Sequence, residues 1–124
     1  MPGRVCWSDG GATKEFWGHL TYEDIQAADN ALFGDYRFDG IHYLLIDCMN
    51  VEETLLDEDM IDVLSHTDHV ANSYKRKLKL GFACSLPALT EQFMKYIGNS
   101  RALGNSWDIQ LFTDLQSAAA WAKS

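Results

Sequence analysis

The sequence predicts an α/β domain: a mostly parallel sheet of five strands, opened by an antiparallel hairpin and accompanied by four helices. Three observations predict it. Strand-like and helix-like patterns alternate along nearly the whole chain. Residues 41–46 form a near-continuous apolar run, which fits a strand covered on both faces. The connections between patterns are short, and such alternation implies parallel strands joined by right-handed crossovers. With 124 residues, 47% of them hydrophobic and 23% charged, the chain reads as a single domain over 1–124. A chain of this size buries roughly two thirds of its unfolded surface without needing staples.

Each element has its own signal. Residues 4–8 and 14–18 flank Gly10-Gly11, a turn between two short antiparallel strands. Thr21 and Asp24 have the spacing of a capping box, with Leu20 and Ile25 in the staple positions. Ile25, Ala28 and Leu32 then share one helix face, and Gly34 is placed to end the helix. After the strand at 41–47, a second helix is expected to turn Leu56, Met60, Val63, Leu64, Val70, Ala71 and Tyr74 inward. That leaves Glu58, Asp62, Ser65, His66 and His69 for water. Leu78, Leu80, Phe82 and Ala83 mark the next strand. Pro87 suits the first turn of a third helix carrying Leu89, Phe93, Tyr96 and Ile97 on its inner face. Residues 107–112 form the last strand, and Thr113 with Gln116 is expected to cap a final helix containing Ala118, Ala119 and Trp121.

Charge is distributed unevenly. The formal net charge is −8, and nine of the 18 acids lie between Asp39 and Asp68 in a stretch without Lys or Arg. The other nine acids are matched by all ten bases, so the imbalance belongs to this one segment. An acidic protein repels phosphates, which argues against nucleic acid. The basic run Lys75-Arg76-Lys77-Leu78-Lys79 is short and reads as a solvated connection. Cys6, Cys48 and Cys84 are an odd set without metal-ligand spacing, expected to be reduced and mostly buried. No apolar leader and no run near the roughly 18 apolar residues of a membrane span occurs. A soluble cytoplasmic protein is therefore expected. The glycines form no phosphate-cradling fingerprint.

Gly18-His19-Leu20-Thr21-Tyr22-Glu23-Asp24 opens the first helix, and the apolar strand ends in Asp47. Trp107-Asp108-Ile109-Gln110-Leu111-Phe112-Thr113-Asp114 runs into an Ala-rich, Trp-containing helix. In these three patterns and in its element order the chain resembles the SpoIIAA-like superfamily, which includes the STAS domains of anti-sigma-factor antagonists; it looks most like the small stand-alone bacterial members. Lipid-binding Sec14-type domains share the general fold. The resemblance implies helices largely on one side of the sheet and a regulatory, protein-binding role. It also implies a phosphorylatable serine after the strand that ends at Asp47. Here the chain departs: no serine occurs between Ser8 and Ser65, and Thr54 is the one hydroxyl near the helix start. A phosphate among these carboxylates would be repelled, so the usual phospho-switch is not expected.

The candidate partner-contact face comprises Asp47, Asn50, Glu52, Glu53, Thr54, Asp57 and Glu58, an acidic surface suited to a basic protein patch. The same acids also fit a solvated helix start opposing the dipole. Asp47, Glu52, Glu53 and Asp57 lack the spacing of a cation loop, so no metal or cofactor is expected. Asp62 and His66, four apart on a helix, form a candidate pH-sensitive pair, with His69 one turn beyond. Cys48 and Cys84 both end strands, and parallel neighbours would bring them to the carboxyl edge of the sheet. No histidine belongs to that edge, so an enzyme is not expected. Trp7, Phe16, Trp17, Phe33, Tyr36 and Phe38 cluster in the first third of the chain. A pocket among them would make the protein a carrier of a lipid or other small apolar ligand, the alternative to protein binding. The open edge of the hairpin also leaves a homodimer possible.

Overall fold

The computed structural model describes residues 2–124. Strand β1 (Gly3–Ser8) turns back through Asp9-Gly10 into β2 (Gly11–Leu20), with Ser8 opposite Gly11. A Cβ at Gly11 would fall 2.2 Å from the Tyr43 ring, so only glycine lets the hairpin lie over that side chain. Helix α1 (Tyr22–Phe33) follows, then β3 (Tyr43–Thr54), α2 (Glu58–Tyr74), β4 (Lys79–Ala83), α3 (Pro87–Ala102), β5 (Asp108–Phe112) and α4 (Leu115–Ala122). The five strands stand in chain order, β1 antiparallel to β2 and every later pair parallel.

That order explains the layers. A sheet that always grows in one direction by right-handed crossovers places every crossover helix on the same face. Helices α1, α2 and α3 accordingly share the main core with Phe16, Leu20, Ile46, Leu80 and Phe82. Helix α4 comes after the last strand and covers the opposite face, where Ala118 and Ala122 pack on Tyr43, Leu45 and Ala83.

The caps follow from sequence with one exception. Thr21 and Asp24 form the expected reciprocal capping box of α1. Helix α4 is capped by Asp114, whose carboxylate accepts from the Ser117 amide at 2.7 Å, and not by Thr113. A carboxylate at an N-cap also meets the positive end of the helix dipole.

Two expectations are corrected. Strand β3 does not stop at Asp47 but continues to Thr54, because β2 is ten residues long and stays paired to it as far as Leu20–Thr54. The register shifts twice, between Glu15 and Trp17 and between Gly18 and His19, and Gly18 has the positive φ of 69° that such a bulge favours. The inward face of α2 also differs. Ile61, Leu64, Ser65 and Asn72 are buried, whereas Val63, Val70 and Tyr74 are 48%, 60% and 87% exposed. Polar side chains hold the buried positions because they have partners there. Ser65 donates to the Ile61 carbonyl at 2.8 Å, and Asn72 donates to Ser106 at 2.8 Å.

Candidate functional site

The acidic segment forms one end of the sheet and the start of α2. Asn50, Glu52 and Glu53 lie on the extension of β3, exposed, with Asn50 opposite Trp17 and Glu53 opposite His19 on β2. Asp57 caps α2 by accepting from the Met60 amide at 2.9 Å. Glu58 begins the helix in full exposure and lies 3.7 Å from Lys95 of α3. Two apolar side chains are exposed on this stretch, Leu55 (48%), which follows Thr54, and Trp17 (37%), which stands opposite Asn50.

The candidate face loses one member. Asp47 is 6% exposed and accepts from the Met49 amide at 3.1 Å, so it braces the strand and is not available to a partner. Thr54 is half-buried and works as a clip. Its hydroxyl donates to Gln92 Oε1 at 2.6 Å and accepts from the Leu56 amide, while Gln92 Nε2 donates to the Leu56 carbonyl at 2.7 Å. The turn between β3 and α2 is thereby fixed to α3.

The Asp62–His66 pair is arranged otherwise than expected. His66 Nδ1 meets the Asp62 backbone carbonyl at 2.8 Å, while the Asp62 carboxylate faces Lys95 at 3.2 Å and Asn99 at 2.9 Å. Those bonds, Lys95 foremost, hold the Asp62 carboxyl below the usual range. The thiols also divide. Cys6 is exposed, because β1 is an edge strand with alternate residues in water. Cys48 and Cys84 follow the paired residues Asp47 and Ala83 and so are neighbours, but only Cys84 follows the end of its strand: Cys48 lies within β3, which runs on to Thr54 beside β2. Both are buried, and burial, with Cys84 and Asp47 adding to it, pushes the Cys48 thiol far up and keeps it un-ionised. No group of three or more His, Cys, Asp or Glu side chains converges as a metal site among the described residues.

A second polar site, absent from the sequence reading, lies inside the main core. Lys14 of β2 forms an ion pair with Asp29 of α1, and Tyr96 of α3 donates to Asp68 of α2. Four elements thus contribute one polar side chain each. Burial works against the Lys14 charge, but Asp29 and Asp68 outweigh it and hold the ammonium above its ordinary value. Burial, and next the charge of Asp29, push the Asp68 carboxyl up to about 7, against the opposing pull of Lys14 and Tyr96. Burial likewise raises the Tyr96 phenol. The four residues also border a small cavity of about 40 Å³ whose lining is largely apolar, including Phe16, Ile46, Ile61, Leu64 and Phe93.

The cluster did leave a trace in the sequence. Lys14 alternates with Ala12 and Phe16 on the core face of its strand, and Asp29 follows Ile25 and Ala28 on the buried face of α1. Asp68 lies seven residues after Ile61, and Tyr96 three after Phe93. Charged residues in inward register were the signal, and the apolar pattern alone passes over them.

With strands in chain order, one antiparallel edge and three helices on one face, the fold is that of the SpoIIAA-like, STAS-type α/β proteins. A solved structure described as an anti-sigma factor antagonist from Mycobacterium paratuberculosis superposes with a TM-score of 0.58 over 98% of this chain and 93% of its own. The two sequences are 15% identical, so the likeness is one of fold. No protein-family model and no curated protein matches the sequence.

Proposed function

We propose that this chain is a non-enzymatic regulatory module that binds another protein through the end of β3 and the start of α2. The supporting observation is that Leu55 and Trp17 are exposed on the same stretch, the latter part of β2 and β3 and the start of α2, that carries the exposed Asn50, Glu52, Glu53, Asp57 and Glu58. The partner surface that fits it is apolar at its centre and basic at its rim, and the excess negative charge steers such a partner toward it. The STAS-type fold supports a regulatory role, since its solved neighbour is described as an antagonist of an anti-sigma factor. Binding in this chain would not be switched by a serine phosphate, because the region holds none. Its one hydroxyl, on Thr54, is occupied by Gln92 and Leu56.

The test is a combined variant, Glu52→Lys, Glu53→Lys, Glu58→Lys and Asp57→Asn, the last keeping a capping side chain. Far-UV circular dichroism should be unchanged, and partners captured from the native cell lysate by the parent protein should be lost. Retention of the same partners at the same yield would overturn the reading. The carrier alternative draws on the apolar walls of the internal cavity. About 40 Å³ has no room for a lipid tail, so that reading requires α2 or α3 to move away from the sheet. Native mass spectrometry of freshly purified protein reports any retained ligand and, in the same spectrum, a dimer.

A further inference from the structure

Helix α2 turns to water a face that the sequence pattern had assigned to the core. Residues three and four apart share one side of a helix. Asp59, Val63, His66, Thr67, Val70 and Tyr74 make such a row along α2, and all six are exposed. The polar heads in the middle of the row are turned back onto the helix. The Thr67 hydroxyl donates to the Val63 carbonyl at 3.0 Å, and His66 Nδ1 meets the Asp62 carbonyl at 2.8 Å. Both donors are met within the helix, so covering this face would leave neither of them unsatisfied. The two ends of the row differ in charge. Asp57, Glu58 and Asp59 are exposed at its start, and Arg76 and Lys77 are exposed just past its end.

We propose that two copies of this chain pair through α2, their helices antiparallel about a two-fold axis that passes between His66 and Thr67. The row carries the symmetry this requires. Asp59 and Tyr74, Val63 and Val70, and His66 and Thr67 all share that one midpoint. A two-fold interface brings the first residue of each pair to the second in the other copy, and the reverse, so every contact is made twice. Val63 then packs on Val70 of the second copy. The Tyr74 phenol, a donor, comes to the Asp59 carboxylate, an acceptor. Arg76 and Lys77 come toward the acidic start of the second α2, and the two helix dipoles run in opposite directions. A parallel pairing would set acid on acid and base on base. A second copy is the occupant because the face supplies its own complement, apolar to apolar and acid to base. Helix α2 has 17 residues, a length of about 25 Å. One helix face of that length lies at the low end of interface sizes, so the dimer should be weak and concentration-dependent, with a Kd of about 10–100 μM. The pairing does not rest on the reading of the partner-contact face.

The experiment is sedimentation velocity of the full chain over a concentration series that spans the micromolar range. The parent protein should pass from monomer to dimer. Val63→Asp and Val70→Lys, both at exposed positions, should each weaken association about tenfold or more. The combined variant Val63→Asp, Val70→Lys should associate more tightly than either single variant, because antiparallel pairing sets each new aspartate against a new lysine. In a mixture of isotope-labelled and unlabelled parent protein, filtered nuclear Overhauser contacts should join Val63 of one copy to Val70 of the other. A parent that stays monomeric throughout the series would overturn the proposal. Single variants that dimerise as the parent does would also overturn it, since the contact would then lie elsewhere, at the hairpin edge for example. A combined variant no tighter than the single ones would refute the antiparallel geometry and the proposal with it. The Overhauser measurement needs no substitution, and its failure in a dimeric parent would have the same force.

Discussion

The molecule carries acids in two settings, and they behave as different materials. Glu52, Glu53, Asp57 and Glu58 stand in water at one end of the sheet. There their charge is screened, each has little influence on folding, and their collective field is what a partner senses. Asp29 is buried and Asp68 half-buried between the sheet and the helices. There each charge has to be matched by a specific neighbour, Lys14 for one and Tyr96 for the other. The contrast teaches that the acidic excess visible in the sequence is a surface property. The acids that decide stability are scattered, and one of them lies outside the acidic segment.

The largest effect should come from breaking the buried ion pair on one side. Asp29→Ala leaves the Lys14 ammonium inside without its counter-charge and should lower stability by about 3–5 kcal/mol in urea unfolding. The double variant Lys14→Met, Asp29→Leu should recover most of that loss, since apolar residues of similar volume often replace a buried pair at little cost. A double variant as unstable as the single one would mean that the pair is worth more than its burial.

The next effect concerns pH. The Asp68 carboxyl is raised in the folded protein to about 7, so between the ordinary carboxylate range and about pH 7 the folded state holds more protons than the unfolded one. Linkage then requires stability from this group to be complete at low pH and to be lost as pH rises through about 7. Asp68→Asn keeps the neutral form at every pH. It should flatten this part of the profile and melt above the parent protein at pH 8. Equal pH slopes in the two proteins would contradict the assignment.

The smallest effects belong to the exposed acids. Asp57→Ala removes a helix cap and should cost about 1 kcal/mol. Glu52→Gln and Glu53→Gln should each change stability by less than about 0.5 kcal/mol, as surface substitutions away from caps and pairs do. A cost at Glu52 or Glu53 as large as that at Asp57 would erase the distinction between the two settings.

Much of this was legible in the sequence, for reasons that can be named. Thr21 and Asp24 declared a helix start because a capping box is local chemistry, written within four residues. The apolar run at 41–46 declared a covered strand, which the structure begins at Tyr43 after an exposed His42, because burial on both faces leaves no alternation to confuse. Beyond Asp47 the reading failed. Asn50, Glu52 and Glu53 look like a loop, yet β2 is long enough to hold them in the sheet. Helix α2 failed differently. Val63, Val70 and Tyr74 have helical spacing, but the face turned inward carries Ser65, Asp68 and Asn72, each satisfied by a residue or carbonyl on the buried side. Such satisfaction is tertiary information. Asp68 needs Tyr96, 28 positions away, and Lys14 needs Asp29, 15 positions away. Apolar periodicity has no means of recording a partner.

The strand order has a kinetic side. Because β1 to β5 stand in the sheet as they stand in the chain, every pairing closes a single connection, a two-residue turn or one helix-bearing crossover. Loop-closure entropy grows only slowly with length, and folding rates fall as contacts become more distant in sequence. No strand in this protein has to wait for a far segment to arrive before it can be inserted. The sheet can be laid down in the order of synthesis, with α4 as its last addition.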